Sequence, residues 1–356
     1  MAWNQDPAVL SPVGRPMREQ LEEGPRRQAL DGFEPVYRDF VDYIVRCTHR
    51  IWEEKNVGLC RTHYSDDCVL HMLAGPAAGV EVVNQNTVGS LTSQADRLVM
   101  AEDVIWSEDA PGEFYSSHRI ISRSTHSGDE PLIGHATMRG TGVSTIADCK
   151  VIANRIVEEW LVRDNTTALW QVGADPHGIA AAGAAADLDG DQARHAWRSQ
   201  AMAVTRSEAD VTIEEGHPAA PIASMLRMAF AEDLYGDAAT LFSPAGEVRW
   251  PSRRHGFGRG FWIGCVTQLC NGLHQRAFRC EHVAARPLPH GDIAVAIRWS
   301  LAGTHKGTGV WGEPSGRELW LLAISHFRLR GGMIVEDMTV FDEVAILRQV
   351  GGGLGA

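Results

Sequence analysis

The chain is predicted to be an α+β protein of two tandem domains, each a curved antiparallel sheet with helices covering its concave face. Three observations predict this. Its 356 residues exceed what one hydrophobic core usually organises. Its second half repeats its first. Within each half, segments of helical apolar spacing come first and a run of strand-like segments follows, the order of an α+β rather than a βαβ domain.

The repeat is clearest at the two domain ends. Residues 156–173 read IVEEWLVRDNTTALWQVG and residues 334–351 read IVEDMTVFDEVAILRQVG, an ungapped shift of 178 with nine of eighteen positions identical. Upstream, Gly134 and Arg139 match Gly312 and Arg317 at the same shift, and HRIISRSTHSG meets IRWSLAGTHKG at a shift of 179. Near the domain starts Trp52 pairs with Phe230, Gly58 with Gly236, Tyr64 with Phe242 and Leu70 with Val248. The expected units are an N-terminal arm (1–32), a first domain (33–175), an Ala/Gly/Asp-rich linker with short helices (176–219) and a second domain (220–351). Both domains have an ordinary size.

In the first domain, PVYRDFVDYIVRCTHRIWEEKN has apolar residues at helical spacing and predicts a long helix, with a second short helix ending near Tyr64. CVLHML reads as a strand and VEVVNQNTVGSLTSQA as a third helix. RLVMAEDVIWSE, EFYSSHRIISRSTH, HATMRGTGVSTIADC and NRIVEEWLVRD then read as strands separated by Gly, Pro and Asp turns. Helices on the concave side of such a sheet enclose a pocket. In the linker, DLDGD has the look of a calcium loop, but Arg198 stands where a bidentate Glu is needed, so a solvated linker is expected.

The formal net charge of -12 argues against nucleic-acid binding, which requires a basic face. No apolar run approaches a membrane span, the N-terminal sequence lacks a secretory pattern, and the seven cysteines include no CxxC pair. Buried thiols and a cytoplasmic location are expected. GxSxG, HExxH and Walker motifs are absent, and His, Cys and acidic residues never fall at metal-ligand spacing, so neither metal nor cofactor is expected.

Candidate site residues come from the repeated strand and its neighbours. With no bulge, alternation puts Ile156, Glu158, Trp160, Val162 and Asp164 on one face. A carboxyl among apolar walls resists ionisation and becomes a usable acid/base. Asp164 and Asp342 serve equally as caps of the helical turns that follow them. Neutral imidazoles shuttle protons, which brings in His71 in VLHML, His118, His126 and its counterpart His305, and His326. The hairpin through RGG directs His326 toward Asp342, while its counterpart Asp148 would stand beside Asp164. Arg249, Arg253, Arg254 and Arg259 in VRWPSRRHGFGRG stand close together and either bind an acidic substrate or form a solvated loop.

IVEEW…D…LWQVG and IVED…FD…LRQVG, with VLHMLAGPAAGVE and the TH-x-G turns, resemble the SnoaL-like polyketide cyclases of the nuclear-transport-factor-2-like superfamily. The resemblance covers about three quarters of the chain. It implies cone-shaped domains, a cavity-facing strand at His71, and an Asp acting as general acid/base, a role that transfers onto Asp164 and Asp342. Family cyclases close a polyketide ring by an intramolecular aldol reaction without metal or organic cofactor. This chain departs from the pattern in its tandem form, its linker and Met338 in place of Trp160.

The expected function is acid/base catalysis (cyclase, isomerase, dehydratase or hydrolase) on a small, carbonyl-containing molecule in an apolar pocket. Catalytic expectations fall on Asp164, Asp342, His326, His71 and Asp148, and binding expectations on Glu158, Trp160, His118, His126, Arg249, Trp250, Arg259 and His305. The alternatives are a non-catalytic binding or scaffolding protein, and a division of labour in which one domain works and the other supports it. The two domains are expected to pair within the chain as a pseudo-dimer, or the chain to form a homo-oligomer.

Overall fold

A computed structural model describes residues 9, 11–130, 133–188 and 192–351. From residue 11 onward the N-terminal segment is tied to the first half. After the single turn α1 (Met17–Gln20), Leu30, Phe33 and Tyr37 enter one core with Phe40, Tyr43 and Phe114. Arg26 fans its guanidinium over the carbonyls of Leu30, Phe33, Glu34 and Tyr37.

The first half continues with α2 (Phe40–Trp52), α3 (Cys60–His63), β1 (Tyr64–Met72), β2 (Ala77–Ala78), α4 (Val80–Ser93), β3 (Leu98–Ala110), β4 (Glu113–Thr125), β5 (Gly140–Ile152), β6 (Arg155–Arg163) and α5 (Asn165–Val172). Asp39 starts α2 by accepting from the Asp42 amide at 2.8 Å, an ordinary N-cap. Two helices follow, α6 (Pro176–Leu188) and α7 (Gln192–Ser207). The DLDGD segment falls largely outside the described residues. The second half then runs α8 (Ala220–Ala231), α9 (Tyr235–Ala238), β7 (Phe242–Trp250), β8 (Arg254–Phe257), α10 (Gly258–Gly272), β9 (Leu273–Pro287), β10 (Ile293–His305), β11 (Glu318–Arg330), β12 (Met333–Val340) and α11 (Glu343–Gly351).

The two halves make two six-stranded sheets of the same order, β2-β1-β6-β5-β4-β3 and β8-β7-β12-β11-β10-β9. Each is mixed rather than wholly antiparallel. The four-strand meander brings β6 back beside β1, and β12 back beside β7, in the parallel sense. No helix among the described residues is long and apolar enough to cross a membrane.

One irregularity decides which side chains face inward. Lys150 pairs with Glu158 but Val151 pairs with Ile156, so Val157 is an extra residue in β6. The same happens at Val335, because Arg328 pairs with Glu336 and Leu329 with Ile334. A bulge shifts the alternation by one. Beyond it, Glu159, Leu161 and Arg163 face the helices, and Glu158 and Trp160 face the opposite side.

The outer faces of the two sheets pack against each other. Ile105 and Tyr115 meet Ala284, Ala294 and Ala296 in a small apolar cluster. Around it Ser117 is hydrogen-bonded to His326 at 2.8 Å, Arg119 donates to Glu336 at 3.0 Å, His282 reaches Asp109 at 2.8 Å, and Arg286 pairs with Asp103. Helix α7 covers the rest of the second sheet's outer face, with Trp197 edge-on to Trp320 and Thr205 hydrogen-bonded to Ser300.

Candidate active site

A cavity of about 740 Å³ lies between the inner face of the first sheet and helices α2, α4 and α5, within the size range of small-molecule sites. Most of its wall is apolar, from residues such as Ile44, Leu70, Val83, Ile120 and Leu161. Tyr64, Glu159, His118, Arg97 and Arg163 are among its ionisable groups, with Glu130, Tyr43 and three cysteines.

Glu159 reaches this wall because of the Val157 bulge. Only 6% of it is exposed, and the Tyr64 hydroxyl donates to its Oε2 at 3.0 Å. Burial raises the Glu159 carboxyl above the ordinary carboxylate value, while the Tyr64 hydrogen bond and the Arg163 charge pull it back. Burial also drives the Tyr64 phenol well above its usual value, aided by the Glu159 charge. The pair is therefore a neutral phenol beside a carboxyl that burial makes more basic than an exposed Glu.

His118 sits on β4 in register with Ala147 of β5, which is in register with Leu161 of β6. Burial pushes its imidazole down to about 3, against a smaller upward pull from Asp103. It is therefore neutral near pH 7. Its buried Nε2 has no hydrogen-bond partner among the described residues.

The residues expected from sequence separate into several places. Asp164 and Asp342 are helix caps: Asp164 Oδ1 accepts from the Thr167 amide at 3.0 Å, and Asp342 Oδ1 from the Ala345 amide at 3.1 Å. Each also crosses between the halves. Asp164 accepts from the Ser252 amide at 3.2 Å, and Asp342 accepts from Asn165 Nδ2 at 2.7 Å. Neither is among the cavity-lining residues. His326 does not approach Asp342, because its strand parity turns it outward onto Ser117. Asp148 does not approach Asp164. It is buried between the sheets with Tyr115 and with Arg298, whose Nη1 donates at 3.3 Å.

His71, Glu158 and Trp160 also lie on the outer face. His71 meets Glu158 at 2.7 Å and stacks on Trp160 at 5.1 Å, and Trp160 in turn lies 3.5 Å under the Arg298 guanidinium. His126 and His305 staple equivalent turns, through Thr137 and Ser315. Arg249 pairs with Glu247 at the surface, and Arg259 ties down the carbonyls of Phe242 and Thr240. Trp250 is buried and donates to Asp337 at 2.9 Å. Of the expected site residues, the cavity collects His118 alone.

Glu159, Tyr64, Arg97 and Arg163 were not anticipated. A signal was present: the repeat aligns Glu159 with Asp337 and Tyr64 with Phe242, an acid kept and a phenol exchanged for a phenyl. In the second half the positions of His118, Tyr64 and Arg163 hold Ile297, Phe242 and Phe341, all fully buried. Trp262 and Trp299 fill the space beside them. Asp337 is left bound to Trp250 and Thr339 inside a packed core.

Among known proteins, residues 266–350 match the model of SnoaL-like polyketide cyclases. No curated protein matches. Similar solved structures include wild-type IdmH from Streptomyces antibioticus (22% identity, 37% of this chain and 97% of that one, TM-score 0.32). TsrD from Streptomyces laurentii is another (15% identity, 40% and 100%, TM-score 0.33). A third is an NTF2-like protein of unknown function from Exiguobacterium sp. 255-15 (18% identity, 34% and 96%, TM-score 0.27). Residues 266–350 are thus similar to the SnoaL-like polyketide cyclases, and the first half of the chain repeats the strand order of the second.

Proposed function

We propose that the first domain, residues 33–175, is a proton-transfer catalyst for a small carbonyl compound, and that the second domain, 220–351, is its structural partner. The supporting observation is the buried Tyr64–Glu159 pair, 3.0 Å apart, in a cavity large enough for a substrate. The matching place in the second half is packed with Phe242, Phe341, Trp262 and Trp299.

In this reading the Glu159 carboxylate removes a proton next to the substrate carbonyl. Its raised pKa makes it a stronger base than an exposed Glu. Tyr64 holds the carboxylate in place through its hydroxyl, and Glu159 itself gives the abstracted proton back to the product. His118, neutral and with a free Nε2, hydrogen-bonds the oxygen on which negative charge develops. The same steps serve an intramolecular aldol cyclisation, an isomerisation or a dehydration.

The test is exchange of the α-protons of 2-tetralone in D2O, followed by NMR. The expectation is acceleration by the wild-type protein and a loss of roughly 10²–10⁴-fold in Glu159→Gln. Equal exchange by wild type and Glu159→Gln would remove the assignment.

A further inference from the structure

The cavity holds two guanidiniums, those of Arg163 and Arg97, that among the described residues meet no acid in an ion pair. Arg163 projects from β6 into it, and among the described residues its guanidinium makes no hydrogen bond and no ion pair. Glu159, Asp342 and Tyr64 act on it only from beyond ion-pairing distance. Arg97 lines the same space. It hydrogen-bonds only the amide oxygen of Gln94, lies 5.1 Å from the Trp52 ring centroid, and keeps a buried Nε without a partner. Burial lowers Arg97 to about 10, with the like charge of Arg163 adding to the effect. Arg97 thus stays charged at neutral pH, burial lowers Arg163 as well, and the two like charges repel each other across an apolar wall. The nearby acids act on them only at a distance, Glu159 on Arg163 and Glu130 on Arg97, neither in an ion pair.

Two unsatisfied guanidiniums in one cavity carry an electrostatic cost that an anion between them removes, and the planar fork of Arg matches a carboxylate. Accepting the cavity of the first domain as the ligand site, we infer that its ligand bears a carboxylate, seated against Arg163 and Arg97. Glu159 lies four residues before Arg163 on the same inner face, roughly 13 Å away along the strand. The reacting carbon and the carboxylate therefore belong to opposite ends of an elongated molecule whose apolar body passes Leu161. Arg163 is then the specificity determinant and Arg97 its support.

The test uses anthracene-2-carboxylate and its methyl ester as fluorescent probes, titrated into the full-length protein at pH 7. The wild type is expected to bind the acid at least tenfold more tightly than the ester. Arg163→Met is expected to bring the two probes to parity by weakening the acid alone. Arg163→Lys is expected to keep part of the preference. Equal binding of acid and ester by the wild type overturns the carboxylate inference and leaves the cavity reading standing. Binding of neither probe overturns both. The wild-type comparison needs no variant, so a misfolded Arg163→Met leaves the inference open to refutation.

Discussion

The Tyr64 hydroxyl donates to Glu159 at 3.0 Å inside the first cavity, whereas Phe242 and Asp337 at the matching places of the second half make no such bond. The hydrogen bond stabilises the charged carboxylate, so its loss raises the Glu159 pKa further. Tyr64→Phe is therefore expected to move the acidic limb of the pH–rate profile for 2-tetralone exchange upward by about one unit. Exchange rates measured from pH 4 to 9 check this, and an unmoved limb would separate Tyr64 from the base.

The two-domain plan was legible because it was written twice: the shift of 178 lines up β1 with β7 and β6 with β12. The site was less legible for a local reason. Alternation along IVEEWLVRD was right in period and wrong in phase, since Val157 inserts one residue into the ladder. That slip exchanged Glu158 and Trp160 for Glu159, Leu161 and Arg163. Nothing in Val157 itself announces a bulge. Its trace was the aligned pair Glu159 and Asp337, the acid that both halves bury. The outward turn of His326 and Asp148 depended on the packing of one sheet against the other, which no spacing within a strand encodes.

Asp164 gives a stability effect without a chemical one. It caps α5 and also accepts from Ser252 in the second half. Asp164→Ala removes both bonds, with an expected cost of about 1–2 kcal/mol. The exchange rate per folded molecule should stay within about twofold, because Asp164 does not line the cavity. Calorimetry and the NMR assay together decide it. A large rate loss with unchanged stability would return the acid/base role to Asp164.

Asp337 links stability to pH. Burial raises its carboxyl to about 7, against the opposing hydrogen bonds from Thr339 and Trp250. A raised folded-state pKa means the native state binds a proton that the unfolded chain has released. The stabilisation is complete below about pH 4, where both states are protonated, and fades as pH rises toward 7. The expected slope is a loss approaching 1.4 kcal/mol per pH unit across that window. Asp337→Asn should flatten it, because an amide satisfies Trp250 with its oxygen and Thr339 with its nitrogen. Urea titrations at pH 4.5, 5.5 and 6.5 read the slope directly.

Arg298 tests what joins the two sheets. Its guanidinium donates to Asp148 at 3.3 Å and to Glu281 at 3.3 Å, and lies 3.5 Å from the Trp160 ring centroid. Burial raises the Asp148 carboxyl to about 6 even with Arg298, Ser117 and Tyr115 opposing. Arg298→Ala leaves that acid buried without its cation and strips the face of Trp160. The expected cost is about 3–5 kcal/mol. Adding Asp148→Asn should recover part of the loss, because an amide needs no counter-charge. The double variant is therefore expected to be more stable than Arg298→Ala alone. A double variant that is less stable would mean that Asp148 is held by Tyr115 and Ser117, and that Arg298 contributes through its packing on Trp160.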